Sequence, residues 1–138
     1  MTLYVVDTSV AVAWYLPEDF SAGARRWQEK LLEGKIRGVV PTLHFYEFGN
    51  VLRTLVRRGQ IAADLAAEVY DIHLEAPLEL IEPDRTLLLQ RALEYDATVY
   101  DAVYISLALE LDATILTAER TTTPWVTRLK ERTEIIAP

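Results

Sequence analysis

The feature that most constrains the fold is the alternation of short apolar runs with longer segments of helical periodicity. Runs typical of strands lie at residues 3–6, 38–40, 78–81, 114–116 and 134–136. Helices are predicted near residues 10–16, 20–33, 43–58, 61–75, 84–95, 100–111 and 124–131. Strands that alternate with helices are typical of parallel sheets covered on both faces. The sequence therefore predicts an α/β protein, a three-layer α/β/α sandwich with a central parallel sheet.

Length and composition predict one domain spanning residues 1–138. The 138 residues are 51% hydrophobic, and no repeat or Gly/Ser-rich linker divides them. Because cysteine is absent, disulfides and Cys-based metal sites are excluded. No apolar run approaches the ~18 residues of a membrane span, so a soluble cytoplasmic protein is expected. A net charge of −7 argues against unaided attraction to nucleic acid over the whole surface.

Four acidic residues lie in or directly after apolar segments. Asp7 closes the first apolar run, Glu47 and Asp101 are set within later ones, and Glu119 follows the run at 114–116. Carboxylates in such settings cost desolvation free energy unless they are paired, hydrogen-bonded or bound to a cation. Four of them suggest one shared site that holds a divalent metal.

The predicted layout can bring these acids together. Ligands of open α/β sheets bind beyond the carboxyl ends of the strands, where Asp7 and Glu119 meet if strands 3–6 and 114–116 are parallel neighbours. Glu47 lies near the start of helix 43–58, on a polar arc with Asn50. Asp101 lies in the first turn of a helix that is apolar on nearly every side, where the helix dipole favours a negative charge.

Carboxylates are the ligands that magnesium and manganese prefer. Two such ions can activate a water and stabilise the leaving oxygen of a phosphodiester, which makes phosphodiester hydrolysis the natural reaction. Hydroxyls at the same strand ends are suited to hold a carboxylate or a metal-bound water in position. The candidates for this supporting role are Thr8, Ser9 and Thr117, with Asn50 on the helix.

The motifs that carry these residues resemble those of PIN-domain ribonucleases. They are Val6-Asp7-Thr8-Ser9, Glu47-Phe48-Gly49-Asn50-Val51-Leu52, Tyr100-Asp101-Ala102-Val103-Tyr104-Ile105-Ser106-Leu107-Ala108 and Leu116-Thr117-Ala118-Glu119-Arg120. The resemblance runs from Leu3 to Arg120, with the motifs in order, and the chain length is similar to that of the VapC branch of toxins. It implies Mg²⁺- or Mn²⁺-dependent cleavage of RNA, a homodimer, and inhibition by a cognate antitoxin. By motif matching, Asp7, Glu47 and Asp101 take the first three acidic positions, and Glu119 stands where an aspartate is usual.

Each acid also has a simpler interpretation. Asp7 and Asp101 could cap helices, Glu47 could be an exposed helix acid, and Glu119 could pair with Arg120. A PIN-like scaffold without catalysis, acting as a protein- or RNA-binding module, is the main alternative function. A phosphotransfer receiver and a haloacid-dehalogenase-like phosphatase fit less well, because their expected lysine and second aspartate are missing.

Other polar groups receive assignments outside the acidic set. Arg53, Arg57 and Arg58 flank the Glu47 face and are candidates for RNA phosphate contacts. His44 is expected to be a surface or capping group rather than a metal ligand. Further expectations concern a solvated acidic stripe at Asp64, Glu68, Asp71 and Glu75, a turn acid at Asp112, and core or interface roles for Trp14, Trp27 and Trp125.

Overall fold

Five strands and seven helices alternate along residues 2–138, the part of the chain that this computed structural model describes. In chain order they are β1 (Thr2–Val6), α1 (Thr8–Tyr15), α2 (Ser21–Leu32), β2 (Ile36–Val40), α3 (Thr42–Arg57), α4 (Ala63–Leu74), β3 (Leu78–Leu80), α5 (Leu88–Glu94), α6 (Val99–Leu111), β4 (Thr114–Thr117), α7 (Pro124–Leu129) and β5 (Thr133–Ile135). Every predicted element is present, and the boundaries differ by a few residues. The largest difference precedes α5, where residues 85–87 form a 3₁₀ turn capped by Asp84.

The strands form one parallel sheet in the order β3-β2-β1-β4-β5. In this order β1 is central and β4 is its direct neighbour, which is the condition under which the sequence places Asp7 and Glu119 together. The register pairs Val6 with Leu116, so the next residues, Asp7 and Thr117, lie side by side at the carboxyl ends of their strands. The Asp7 backbone N–H donates to the Leu116 carbonyl at 3.0 Å, which extends the pairing to the first site residue.

Alternating residues of the central strands face two separate cores, because successive side chains of a strand point to opposite faces. Val6, Val40 and Leu116 pack with residues of α1, α2, α3 and α4 on one face. On the other face, Val5 and Ile115 pack with residues of α6 and α7. The sheet is therefore the middle layer of the predicted α/β/α sandwich.

Glycines end the two helices that the sequence predicted to end there. Gly34 follows α2 and Gly59 follows α3, with φ values of 73° and 70°. Residues with a Cβ rarely adopt this left-handed conformation, which turns the chain out of the helix. The end of α3 is thereby fixed, and this helix carries Glu47.

The expectation for His44 is wrong, because its side chain is fully buried beneath α3 rather than at the surface. Its Nε2 lies 2.8 Å from Nε2 of His73, and Nδ1 of His73 lies 2.9 Å from the Tyr15 hydroxyl. His44 also stacks against Phe48 one turn along α3. The sequence around His44 could not predict its burial. A buried imidazole needs a polar partner, and here that partner is His73 of α4, 29 residues away.

The expectations for the acidic stripe and for Trp14 and Trp125 agree with the structure. The acidic stripe on α4 is exposed, and Trp14 and Trp125 are buried in the two cores. Trp27 packs edge-on against Tyr4, and the Lys30 ammonium lies over its ring. Across residues 2–138, no helix is long and apolar enough to cross a membrane.

Candidate active site

Asp7 lies at the end of β1 with one carboxylate oxygen held in place. Ser9 Oγ and Thr117 Oγ1 both donate to Oδ2, at 2.9 and 2.8 Å. Within residues 2–138 no group bonds to Oδ1. Helix α1 begins at Thr8, but the Asp7 side chain makes no capping hydrogen bond, so helix capping does not explain this acid.

The two hydroxyls that hold Asp7 are themselves fixed by the loop that follows β4. The backbone N–H of Ala118 donates to Ser9 Oγ at 3.2 Å, and that of Glu119 donates to Thr117 Oγ1 at 3.1 Å. Each hydroxyl therefore accepts one hydrogen bond and donates another, which fixes its direction. This relay orients Asp7 and ties the backbone of Glu119 to the same strand end.

Glu47, in the second turn of α3, is held in a similar way. Its Oε1 accepts hydrogen bonds from Thr8 Oγ1 at 3.0 Å and from the Tyr104 hydroxyl at 2.6 Å. Thr8 and Tyr104 also lie 2.8 Å from each other. The three side chains join α1, α3 and α6, so Glu47 is not a freely solvated helix acid.

Tyr104 is a residue of the candidate site that sequence reasoning missed. It is only 3% exposed, and burial together with the Glu47 carboxylate raises the pKa of its phenol, so it stays a protonated donor. A signal was available, because Tyr104 follows Asp101 by three residues and so shares its helix face.

Asp101 is the third residue of α6 and is partly buried. Thr98 is the N-cap, since its hydroxyl accepts from the Asp101 backbone N–H at 3.0 Å, so Asp101 is not the cap. Burial raises the pKa of its carboxyl, and the charges of Glu119 and Glu47 raise it further.

The four acids act on one another electrostatically. Burial raises the pKa of Asp7 to about 6. Hydrogen bonds from Thr117 and Ser9 oppose this rise, and the charges of Glu47 and Asp101 add to it. Proton uptake of this kind is expected where carboxylates share a site without a compensating cation. These interactions link the four predicted acids, here called the acidic cluster: Glu47 and Asp101 act on Asp7, and Glu119 acts on Asp101.

Glu119 lies at the edge of this cluster, just after β4. Its Oε2 accepts a hydrogen bond from Thr123 Oγ1 at 3.3 Å, and its charge acts on Asp101. Among the described residues it forms no ion pair with Arg120, so the simpler interpretation of this acid is not supported.

The other candidates lie further along α3. Asn50 is exposed and lines a cavity of about 260 Å³ beside Glu47, without a side-chain hydrogen bond to any described carboxylate. Arg53, Arg57 and Arg58 are exposed and have no ion-pair partner in residues 2–138. Asp112 adopts a left-handed conformation after α6 and pairs with Arg132 at 2.7 Å, so it is a turn acid as predicted.

The donor set fits a hydrated hard cation. Asp7 and Glu47 each present one anchored oxygen and one without a partner among residues 2–138, as expected of oriented metal ligands. In this part of the chain, no three carboxylate or imidazole side chains already converge to enclose an ion. Magnesium suits such an open arrangement, because it binds through one or two carboxylates and keeps several waters.

Comparison with known proteins identifies the family of this chain. Residues 4–121 match the model of the PIN domain family. Ribonuclease VapC3 from Pyrobaculum aerophilum is 30% identical, over 84% of this chain and 88% of that one.

Solved structures show the same fold. PAE2754 from P. aerophilum has a TM-score of 0.70 at 24% identity and covers 95% of this chain and 88% of its own. VapBC2 from Rickettsia felis, bound to a promoter DNA fragment, has a TM-score of 0.64 at 13% identity and covers 99% and 100%. Mycobacterium tuberculosis VapC20, a sarcin-ricin loop cleaving toxin, has a TM-score of 0.57 at 18% identity and covers 80% and 85%.

The fold and the acidic cluster define the class: an α/β/α protein with carboxylates at the ends of adjacent parallel strands. The chain belongs to the PIN domain family, and its relatives include VapC ribonucleases.

Replacing Tyr104 by phenylalanine should lower the rate of RNA cleavage by the protein tenfold to a hundredfold. The substitution removes the hydroxyl that holds Glu47 Oε1, and losses of this size are typical when a group that orients a ligand is removed. The free energy of unfolding should change by only about 1–2 kcal/mol, measured by chemical denaturation. Tyr95→Phe is the control, because the Tyr95 hydroxyl has no hydrogen-bond partner in residues 2–138. Unchanged turnover in Tyr104→Phe would show that Glu47 needs no positioning.

Proposed function

We propose that this protein is a divalent-metal-dependent endoribonuclease and the toxin of a VapBC-type toxin–antitoxin pair. The observation that carries the proposal is the pair of anchored carboxylates, Asp7 and Glu47, each held through one oxygen by hydroxyls from other elements. Membership in the PIN domain family and the similarity to Ribonuclease VapC3 support the assignment to RNA.

In this proposal Asp7, Glu47, Asp101 and Glu119 hold Mg²⁺ or Mn²⁺, some of them through waters that the ion retains. When bound, the ion supplies Lewis acidity and lowers the pKa of a water toward neutrality. The chain itself supplies orientation: Thr117 and Ser9 aim Asp7, and Thr8 and Tyr104 aim Glu47. The raised pKa of Asp7 supports the assignment, because a bound cation would stabilise the carboxylate that burial destabilises, and would also offset the charges of Glu47 and Asp101.

The RNA backbone would lie along α3. Arg53, Arg57 and Arg58 are the proposed phosphate contacts, and their exposure without ion-pair partners in residues 2–138 supports this role. Local basic groups matter here, because the net charge of −7 gives RNA no attraction to the surface as a whole. Because the proposed substrate is cellular RNA, the proposed location of the protein is the cytoplasm.

The proposed inhibitor is a cognate antitoxin that places an arginine or lysine among the carboxylates. Charge complementarity supports this proposal, since an acidic crevice favours a basic side chain. The VapBC2 structure from Rickettsia felis is the corresponding assembly in a protein of the same fold. Antitoxin binding that is unaffected when Asp7, Glu47 and Asp101 are all made neutral would place the inhibitory contact elsewhere.

A homodimer is the proposed assembly. Leu89 and Leu93, four residues apart on α5, are 64% and 75% exposed, and such apolar patches often mark contacts between subunits. Sedimentation should give a dimer for the wild type. A monomer at micromolar concentration would contradict this assembly.

The test of the activity is cleavage of a single-stranded RNA by purified protein with Mn²⁺, with and without chelator. Wild type should cleave internally only when the metal is present, and Asp101→Asn purified in parallel should not. Thermal melting gives a second readout: a metal that binds only the native state should stabilise the wild type by about 2.7 kcal/mol at a hundredfold excess over its dissociation constant. RNA binding without cleavage or metal stabilisation would favour the alternative of a catalytically inactive binding module.

Substituting Glu119 tests how this acid contributes. Glu119→Asp restores the residue usual in the family but shortens the side chain, so a changed turnover is expected if this carboxylate lies near the metal. Glu119→Gln should reduce turnover less than Asp7→Asn if Glu119 acts through a water. The measurement is kcat at saturating Mn²⁺ for both variants. If neither variant changes kcat or the concentration of Mn²⁺ needed for half-maximal activity, Glu119 has no role at the metal.

A further inference from the structure

Two exposed tyrosines lie beside the acidic cluster and make no side-chain hydrogen bond to its carboxylates within residues 2–138. Tyr46 precedes Glu47 on α3 and is 68% exposed, and Tyr100 precedes Asp101 on α6 and is 64% exposed. Both line the cavity of about 260 Å³ that Leu43, Glu47 and Asn50 complete. Isolated exposed apolar side chains are common, but two large aromatic residues at one cavity beside a reactive site need a reason.

The cavity lining selects a particular kind of ligand. Aromatic side chains offer flat faces for stacking, and the exposed Asn50 amide offers both a hydrogen-bond donor and an acceptor. The Glu47 carboxylate in the lining disfavours an anionic group at this spot. A neutral, planar ring with hydrogen-bonding edges satisfies all three conditions, and an unstacked nucleobase is such a ring.

The surface next to the cavity favours a base that belongs to a polynucleotide strand. Tyr46, Asn50, Arg53 and Arg57 are exposed and follow one another at helical spacing, so they share one face of α3. This face runs for roughly 17 Å. It begins with the aromatic and amide groups beside Glu47 and ends with two guanidinium groups suited to phosphate.

We infer that Tyr46, Tyr100 and Asn50 bind one base of single-stranded RNA next to the bond to be cleaved. The inference rests on the proposed function and adds to it a base-binding site. Stacking is well suited to this protein, because it depends little on charge and the net charge of −7 repels a polyanion. Each stacked base contributes about fivefold to about 150-fold in affinity.

The test measures binding separately from cleavage. A short fluorescently labelled single-stranded RNA is titrated with the full-length protein in chelator, and binding is followed by anisotropy. Tyr46→Ala and Tyr100→Ala should each weaken binding at least fivefold, whereas Tyr46→Phe and Tyr100→Phe should bind within twofold of wild type. Leu32→Ala is the matched control, because Leu32 is 64% exposed on α2 and does not line this cavity.

A second ligand tests whether the base itself is recognised. The same RNA with abasic positions keeps every phosphate, so wild type should bind it at least fivefold more weakly. Each alanine variant should discriminate between the two RNAs less than the wild type does, because it keeps only part of the base site. With Mn²⁺, the alanine variants should raise KM and leave kcat unchanged, because stacking is the same in the bound substrate and in the transition state.

Equal binding of intact and abasic RNA by the wild type would overturn the inference, as would alanine variants that bind like the wild type. Phenylalanine variants as weak as the alanine variants would also overturn it, since ring stacking would then not be the source of affinity. If the alanine variants lose only dimerisation, the tyrosines form a protein contact instead. A preference for intact RNA without cleavage in Mn²⁺ would leave the base site standing and reject the proposed nuclease.

Discussion

Asp7→Asn and Asp101→Asn should each reduce RNA cleavage by more than about a hundredfold, since removal of groups that merely orient metal ligands already costs ten- to a hundredfold. Each substitution keeps the shape of the side chain and removes a negative charge from the proposed metal site. The measurement is single-turnover cleavage of a defined RNA at saturating Mn²⁺. Asp64→Asn is the matched control, because Asp64 is an exposed first-turn acid on α4 and should leave cleavage unchanged.

The same variants should remain folded. Burial and neighbouring charges raise the pKa of Asp101, so in chelator at neutral pH its ionised carboxylate destabilises the native state. Asp101→Asn should therefore melt at the same temperature as wild type or higher in chelator, and should lose the stabilisation by Mn²⁺. Near-wild-type cleavage by rigorously purified Asp7→Asn would refute the proposed site. An Asp101→Asn melting point well below wild type would make Asp101 a structural residue.

Mild acid should destabilise this protein strongly through its buried histidine pair. Burial lowers the pKa of His44 to about 3 and that of His73 to about 4, from an ordinary value of 6.5. As the pH falls below 6.5, only the unfolded chain takes up protons on these rings. The free energy of unfolding should then fall by up to about 2.7 kcal/mol per pH unit for two groups, a large share of the typical 5–15 kcal/mol. This stabilisation is complete above pH 6.5 and is lost as the pH falls toward 4.

Asp7 works in the opposite direction in the absence of metal. Its pKa of about 6 lies above its ordinary 3.8, so the native state takes up a proton here as the pH falls and gains stability. Asp7→Asn should therefore show a steeper acid loss than wild type, and Asp64→Asn should not. Urea unfolding between pH 7.5 and 4.5 measures both slopes. Because the chain has only two histidines, NMR can follow both rings directly. A ring that titrates near 6.5 in the folded protein would contradict the prediction.

The sequence indicated the acidic site because its signals are local. An aspartate that directly follows a strand lies at the carboxyl end of that strand, whichever helices follow. Helical periodicity likewise places Glu47 and Asp101 on their faces without knowledge of the partner elements. The order of the motifs then matched the PIN domain family, which the family model over residues 4–121 confirms.

Tyr104 and His44 show where local signals stop. Tyr104 contacts Glu47, 57 residues away in the sequence, and Thr8, 96 residues away. Neither contact can be predicted from the hydrophobic periodicity of the segments involved. His44 has the spacing of an ordinary helix residue, and only its contact with His73 of α4 makes it part of the interior. The spacing to Asp101 places Tyr104 on the right face of α6, but the partners of both residues could be identified only after the helices were packed.

The sequence by itself determined the order of strands and helices, the glycines that end α2 and α3, and the four acids of the candidate site. These depend on periodicity, turn residues and apolar runs, which act between near neighbours in the chain. The tertiary structure alone decided that Ser9 and Thr117 share Oδ2 of Asp7, and that Thr8 and Tyr104 share Oε1 of Glu47. Such bonds depend on the register of β1 against β4 and on how α1, α3 and α6 pack. Register and packing follow from the free energy of the whole core, which depends on contacts between many segments and cannot be derived from any one of them.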